Sequence, residues 1–439
     1  MAWSDSGSEM PGLGGVLTRG WRELVGAQGL KFLRNLSRAL LWQALGKLLQ
    51  VIGLGYAFRC LGPEKVGLSG TVIAVAAFGQ LVLYFGLEIV SVRHAAAKTM
   101  RLEELIPAMF SLRLAAATAA ALVWLGVVLL LPLTPTTRWV WALGAPYLFF
   151  LSLNFTWFYQ ATERVHQFAL IQNVTTVAAS ACFLACFRPG QAAGSDLLVT
   201  VLTNGAATVA VWWHIKRQHG VKLIQASALS LAKALLRAGR PTWSFNLCYS
   251  ALTSVSLPLC YWLLGQRESG YYRSAAMIVV SGQVFLSYFA YMLNPRIVAW
   301  RHEAPGRFRA RVLLVAGGTV AVGVAVFGLL WLTRELVIRI VCGPEFLPAA
   351  ALLPVLVFAK FLALASGVLV WALFASGRDW WAVKCCLPPL LLGAALSWLL
   401  IPRHGPLAAA RLYWLMELGL LLLCLGAFSR LQPQTKASA

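Results

Sequence analysis

The sequence predicts an all-α polytopic membrane protein with about twelve transmembrane helices, arranged as two six-helix lobes around a central cavity. Composition predicts the membrane class: of the 439 residues, 59% are hydrophobic and 12% are charged, and the mean hydropathy is +0.73. Soluble proteins carry about 25% charged residues. Apolar windows of about 20 residues, the length of one membrane-spanning helix, recur along most of the chain.

A repeated segment predicts the two lobes. Leu61–Gly67 and Leu264–Gly270 each place a short polar turn, opened and closed by glycine, between two long apolar runs. The same offset relates Gly79 to Gly282, and no gap is needed in between. A repeated helix–turn–helix of this length indicates two similar lobes. Paired lobes of membrane helices are typical of transporters that hold their site between them.

The first lobe is predicted at residues 37–216, after a cytoplasmic tail at residues 1–36. The end of this tail mixes bulky apolar and basic residues, so it either lies at the headgroups or has no fixed structure. Each span of the lobe is apolar over about 20 residues. The six predicted spans are Arg38–Arg59, Val66–Ser91, Pro107–Leu131, Trp139–Tyr159, Phe168–Phe187 and Leu197–Ile215.

The second lobe is predicted at residues 240–430, after a basic cytoplasmic linker at 217–239 and before a C-terminal tail at 431–439. Pro241 marks its start, because proline is tolerated in the first turn of a helix. The six predicted spans are Thr242–Leu264, Tyr271–Leu293, Arg311–Trp331, Pro348–Ser376, Trp380–Ile401 and Leu407–Phe428.

The charge of the chain predicts its orientation. The net charge is +22, from 37 Lys and Arg against 15 Asp and Glu. Basic loops orient spans and contact anionic headgroups, and a cationic interior would also suit an anionic substrate. With the N-terminus placed in the cytoplasm, most Lys and Arg fall in cytoplasmic segments, while external turns such as residues 188–196 are short. We therefore expect both termini to be cytoplasmic.

Cysteine and histidine spacing predicts no metal, cofactor or catalytic site. Nearly all of the nine cysteines lie within or at the ends of apolar segments, where they act as small apolar residues. The six histidines lie at or beyond span ends, and none has a zinc, haem or nucleophile spacing. The sequence has no Walker-type phosphate loop. We therefore expect neither a cofactor nor nucleotide hydrolysis.

An aromatic run ends the fourth predicted span: Trp157-Phe158-Tyr159-Gln160-Ala161-Thr162-Glu163-Arg164. In physical terms it is an aromatic belt at a membrane interface, followed by a short charged turn. The run resembles the Trp-Phe-(Phe/Tyr)-Gln-Gly-x-Glu-(Arg/Lys) signature of bacterial flippases for lipid-linked polysaccharide and O-antigen repeat units. These flippases belong to the multidrug/oligosaccharidyl-lipid/polysaccharide exporter (MOP) superfamily. Ala161 replaces the usual Gly.

Four further stretches carry the same resemblance, in the family's order, between about Leu40 and Leu421. They are Leu61–Leu68, Gly270–Ala276, Cys342–Ala350 and Ile401–Ala410. The resemblance implies a two-lobed, MATE-like fold and a flippase that performs no bond chemistry. The implied substrate is an undecaprenyl-diphosphate-linked oligosaccharide, moved across the bacterial inner membrane. Implied partners are this glycan, membrane lipids, and a polysaccharide polymerase or glycosyltransferases, with no nucleic acid.

Three ionisable side chains fall near the middle of predicted spans: Lys47, Lys360 and Glu417. A charge at that depth costs a few kcal/mol or more unless it faces water or a partner. In one interpretation Glu417 forms a structural ion pair with one of the lysines. In the other interpretation, the lysines line a water-filled cavity and bind the diphosphate of the substrate, and Glu417 adjusts the charge of that cavity. Arg273, near an external span end, is a further candidate phosphate ligand, although such side chains commonly reach the headgroups.

The turn after the aromatic run predicts a gate. We expect Gln160, Glu163 and Arg164 to close the cytoplasmic side, with Glu163 paired to a basic loop residue such as Arg93 or Arg101. The alternative is an interfacial anchor without a gating role.

Two other functions stay open. A cation-coupled drug exporter of the same superfamily usually holds an acidic residue at the membrane centre of the first lobe. There this chain has Lys47 and no mid-span Asp or Glu. A membrane polymerase, ligase or glycosyltransferase needs a sizeable external loop with catalytic residues, and the predicted external turns are short.

Overall fold

The computed structural model describes residues 27–84, 87, 91, 102–162, 164–219, 243–303 and 305–431. In these ranges the chain is helical apart from short turns and has no strand. The predicted all-α class is therefore confirmed.

In its described residues the first lobe has eight helices. They are α1 (Ala27–Leu61), α2 (Pro63–Tyr84), α3 (Leu102–Leu130), α4 (Pro135–Ala142), α5 (Gly144–Ser152), α6 (Thr156–Ala161), α7 (Val165–Cys186) and α8 (Ser195–His219). In this lobe α1 packs on α7, α8 packs on α7, and α5 packs on α3 and α2.

The described part of the second lobe contains seven α-helices and one 3₁₀ helix. They are α9 (Trp243–Ser254), α10 (Ser256–Leu264), α11 (Gln266–Glu303), α12 (Pro305–Val341), the 3₁₀ helix Pro344–Ala351, α13 (Leu352–Ala375), α14 (Asp379–His404) and α15 (Pro406–Ser429). Here α13 is central, because it packs against α11, α12 and α15. Among the described helices, the most extensive contact between the lobes joins α2 to α11.

Within the described ranges, nine helical segments are long and apolar enough to cross a membrane. The pair α9 and α10, bent by 42° at its break, makes a tenth when counted as one span. The predicted eighth span lies in α11, which is 38 residues long and continues to Glu303. The membrane class is thus confirmed, and the count of twelve stays a prediction.

The fourth span differs from its prediction. One helix was expected over Trp139–Tyr159, and the structure instead has the short helices α4, α5 and α6. Pro146 lies in the first turn of α5, and a proline cannot donate the amide hydrogen bond that would continue α4 through it. The chain breaks again at Leu153–Phe155, where the Arg113 guanidinium donates to the Asn154 carbonyl.

The repeated turn has the same backbone geometry in both lobes. Gly62 and Gly265 have φ angles of 76° and 94°, a region that favours glycine. Their amides donate to the carbonyls of Phe58 and Tyr261, at 2.9 and 3.0 Å. In each case one helix ends just before the glycine and the next begins just after it. The two turns of the predicted repeat therefore also share the same backbone hydrogen bond.

The aromatic run is not a belt at the surface of the bundle. Trp157, Phe158 and Tyr159 are all fully buried, in a cluster with residues of α3 and α8. Phe155 packs edge-to-face on Trp212, with ring centroids 4.3 Å apart. The six-residue helix α6 lies inside the lobe. Its consecutive aromatic side chains therefore all pack against other helices of the lobe. The interpretation as an interfacial belt is corrected on this point.

All nine cysteines are free, and six are buried as expected. Cys182 and Cys248 are half-buried, and Cys186 is exposed. Among the residues that the structure describes, no group of three or more His, Cys, Asp or Glu is placed to hold a metal ion.

Candidate functional site

A cavity of about 170 Å³ lies in the second lobe, between α9, α11 and α13. Its polar and aromatic lining residues are Tyr249, Gln283, Ser287, Lys360 and Trp371. The remaining lining residues are aliphatic or small. Ligand sites typically combine an apolar wall with a few placed polar groups, and this cavity has that character. Lys360 alone among its lining residues was predicted from the sequence.

Lys360 stands at the cavity wall beside a buried carboxylate. Its ammonium lies 5.4 Å from the ring centroid of Tyr413 on α15. Glu417, one helical turn beyond Tyr413, is fully buried. Glu417 interacts electrostatically with three nearby side chains, those of Lys360, Tyr413 and Tyr249. The two tyrosine hydroxyls approach the Glu417 oxygens, but without ideal hydrogen-bond geometry. Of the two mid-span lysines, the structure thus brings Lys360, rather than Lys47, to Glu417.

Lys47 lies in the first lobe and does not line this cavity. Its ammonium donates a hydrogen bond of 2.8 Å to Gln50, one turn later on α1. The neighbouring Gly46 faces Asn173 of α7. A half-buried ammonium on an apolar helix is expensive without such a partner. That Lys47 and Lys360 share one central cavity stays a prediction.

Arg273 makes contacts that the sequence did not reveal. Its guanidinium forms an ion pair of 2.9 Å with Asp196, the second residue of α8. It also donates to the Ser69 hydroxyl at 2.5 Å and the Val66 carbonyl at 2.7 Å, and lies 5.0 Å from the ring centroid of Phe58. Both Arg273 and Asp196 are buried. The predicted phosphate role of Arg273 stays a prediction, and the structure gives it protein partners from the opposite lobe.

Two glycines allow the lobes to approach closely beside this ion pair. A β-carbon at Gly67 would collide with the Gln266 carbonyl, and one at Gly270 with the Pro63 carbonyl. These two glycines are equivalent positions of the repeat, so α2 and α11 cross nearly symmetrically. Close crossings at small residues are common between membrane helices. The end of the bundle where α2 and α11 begin is therefore closed by direct contact of the lobes.

The predicted gate is only partly described. Gln160 lies near the end of α6 and is exposed, and Arg164 is exposed just before α7. Glu163 and its expected partners Arg93 and Arg101 lie outside the described residues. Arg113 lies near a cytoplasmic span end in the sequence, which predicts a side chain that reaches the headgroups. This prediction is wrong, because Arg113 is fully buried near the faces of Tyr84 and Phe155, at 4.7 and 5.5 Å.

A family model for polysaccharide biosynthesis proteins matches residues 32–299, more than half of the chain. The chain belongs to this polysaccharide biosynthesis protein family. No curated protein sequence matches it.

Solved structures show which fold this member of the family has. A lipid II flippase MurJ in an inward closed conformation is 12% identical with a TM-score of 0.70, over 90% of this chain and 87% of that one. An inward-facing MATE-family multidrug resistance transporter of the MOP superfamily is 14% identical with a TM-score of 0.64, over 87% of this chain and 93% of that one. A MOP-superfamily transporter from Pyrococcus furiosus is 14% identical with a TM-score of 0.56, over 89% and 94%.

These similarities confirm the predicted two-lobed MATE-like fold. At such identities they show the fold alone, and one fold serves both a lipid flippase and drug transporters. The choice between substrates therefore depends on residues of this chain.

Proposed function

We propose that this protein is a flippase. It moves undecaprenyl-diphosphate-linked oligosaccharide from the inner to the outer leaflet of the bacterial cytoplasmic membrane, by alternating access, for polysaccharide or O-antigen biosynthesis. The observation that carries the proposal is Lys360: a cation on a cavity wall within membrane helices, in a member of a polysaccharide biosynthesis family.

The chemistry of the substrate explains why the cavity needs a cation. A diphosphate and its sugars cannot cross about 30 Å of hydrocarbon unaided. A lysine ammonium is a compact charge that binds phosphate without fixing its geometry, which suits a ligand that has to be released. Coulomb attraction is also much stronger in a site of low dielectric constant than in water, so one lysine contributes substantially.

The other charged residues have proposed roles around this step. Lys47 supplies a second cation from the first lobe. Arg273 leaves Asp196 and contacts the phosphate when the closed end of the bundle opens. Glu417, close to Lys360, weakens the hold of that lysine on the phosphate and so favours release.

We also propose that both termini are cytoplasmic and that Gln160, Glu163 and Arg164 form the cytoplasmic gate. A polysaccharide polymerase and glycosyltransferases are the proposed assembly partners.

Export of organic cations is a second candidate function. One observation favours it: Glu417 is a buried carboxylate directly behind the cavity wall, and carboxylates attract cationic drugs. In that case removal of Glu417 would impair drug resistance while leaving surface glycan unchanged.

The experiment compares Lys47→Ala and Lys360→Ala in a strain that lacks this protein. Surface glycan, drug susceptibility and membrane protein level are measured together. We expect reduced glycan at normal protein level, partial activity for Lys→Arg, and unchanged drug susceptibility. Lys384→Ala is the matched control, because Lys384 is exposed on α14. Wild-type glycan from both alanine variants at normal abundance would reject a cationic cavity for the diphosphate.

A further inference from the structure

The second-lobe cavity has the wall chemistry of a sugar site. Gln283 and Ser287 lie one turn apart on α11, Tyr249 adds a phenol from α9, and Trp371 adds an indole from α13. A pyranose ring carries hydroxyl groups around its edge and C–H bonds on its faces. An amide and hydroxyls supply donors and acceptors to the edge, and an indole offers an apolar face to the C–H bonds.

Among the described residues, the side-chain amide of Gln283 has no partner, whereas its backbone carbonyl accepts from the Ser287 hydroxyl at 3.1 Å. Its counterpart in the repeat, Gln80, donates to the Leu151 carbonyl at 2.8 Å and so links α2 to α5. The Gln283 amide makes no hydrogen bond to any residue in the described part of the chain, and it faces the cavity. Half-buried amides that lack protein partners cost free energy unless water or a ligand satisfies them. The repeat thus shows one glutamine used for packing and its equivalent left available.

Gly367 provides the space for a ring. It lines the cavity on α13, and a β-carbon there would meet no atom within 4 Å. It follows Lys360 by about 10 Å along the helix axis and precedes Trp371 by about 6 Å. A group placed over Gly367 therefore has the ammonium at one end and the indole at the other. The Trp371 ring is itself supported edge-to-face by Phe374, 5.9 Å away.

Cavity size limits what fits. Sites for drug-sized ligands start at about 300 Å³, whereas this cavity has about 170 Å³. It can hold one ring and its substituents rather than a whole repeat unit.

We infer that this cavity binds a single saccharide ring, the one joined directly to the phosphate that Lys360 holds. The inference rests on the proposed function, because it takes the phosphate to be at Lys360. The side-chain amide of Gln283 donates to and accepts from the hydroxyls of the ring. The Ser287 hydroxyl, which donates its proton to the Gln283 carbonyl, accepts from one of them. Trp371 covers one face, and the absence of a side chain at Gly367 leaves room. The substrate is thus selected by its first sugar as well as by its diphosphate.

Binding to the purified, full-length protein in lipid nanodiscs tests this. The probes are undecaprenyl diphosphate alone and the same lipid carrying one glucose, galactose or N-acetylglucosamine. We expect the wild type to bind at least one of the sugar-bearing lipids about tenfold or more tightly than the bare lipid, a difference of about 1.4 kcal/mol. Gly367→Leu and Gln283→Leu should remove that difference and leave the affinity for the bare lipid unchanged. Gly367→Ala should remove part of it.

Two matched controls guard against general damage. Gly328→Leu on α12 also adds a side chain where nothing lies within 4 Å, and Gln172→Leu changes an exposed glutamine on α7. Both should bind all four lipids like the wild type. A variant is compared only if it elutes as a single species and unfolds at the wild-type temperature. If Gly367→Leu fails either condition, Gly367→Ala, the smaller change in a helix interior, is compared in its place.

The outcomes separate the inference from the function beneath it. Undecaprenol, which lacks the diphosphate, is measured as a fifth probe. If the wild type does not bind undecaprenyl diphosphate more tightly than undecaprenol, the proposed function fails first. If Lys360→Ala weakens binding of the bare lipid but the wild type treats all four lipids alike, the saccharide site is overturned and the flippase remains. If Gly367→Leu weakens binding of the bare and the sugar-bearing lipids equally, the cavity binds the isoprenoid chain or the diphosphate instead. That result also overturns the saccharide site.

Discussion

The guanidinium of Arg273 and the carboxylate of Asp196 form a buried ion pair of 2.9 Å that joins the two lobes. Ser69 completes the contact, because its hydroxyl donates to the same Asp196 oxygen at 2.8 Å. Opening this end of the bundle has to separate a desolvated pair of charges. Once the lobes separate, Arg273 and Asp196 each need water or another partner, because an unpaired buried charge is costly.

Replacing one member of this ion pair should destabilise the protein more than replacing both. Asp196→Leu or Arg273→Met alone leaves a buried charge without its partner, which costs about 3–5 kcal/mol. The double variant removes both charges and should recover much of that loss. Thermal unfolding of the purified wild type, the two single variants and the double variant gives the coupling energy of the pair, as a double-mutant cycle. Glu64→Gln, an exposed acid at the start of α2, is the control, and strictly additive single effects would contradict the pairing.

The glycine crossing should not tolerate a side chain. Gly67→Ala or Gly270→Ala places a β-carbon against a carbonyl of the other lobe, so we expect a lower unfolding temperature and less surface glycan. Gly282→Ala lies on the same helix as Gly270 with nothing within 4 Å and should be neutral or stabilising. Indistinguishable behaviour of Gly270→Ala and Gly282→Ala would show that the crossing does not limit function.

The burial of the aromatic run predicts a packing role. Trp157→Ala should cost about 3–5 kcal/mol, the range for deleting a large buried side chain. Trp139→Ala is the matched control, because 55% of Trp139 is exposed on the bundle surface. Reversible unfolding in denaturant compares the two. An effect at Trp157 no larger than that at Trp139 would contradict the packing role.

The loop charges predict the topology. Reporter fusions at Gly190 and Gly405 should report the external side, and fusions at Gly220 and Gly306 the cytoplasm, because Lys and Arg concentrate in segments that stay inside. Alkaline phosphatase and green fluorescent protein fusions measure the two sides. A reversed signal at two or more of these sites would refute the orientation.

The sequence by itself determined the helical membrane class, the family signature and the repeated turn. These depend on local properties: the apolar length that a bilayer requires, and the positive φ that glycine permits at Gly62 and Gly265. Of the charged residues that the sequence places near mid-span, Lys360 lines a cavity, and its role there stays a prediction.

Only the tertiary structure decided which side chains meet. The pairing of Asp196 with Arg273, the proximity of Glu417 to Lys360, and the burial of Trp157 depend on the rotation of each helix and the neighbour it packs against. A nearly uniform apolar sequence carries little information on either, because it lacks the polar and apolar faces that orient helices in water. For the same reason Gln80 and Gln283 are equivalent in the sequence repeat, yet one binds a neighbouring helix and the other faces a cavity.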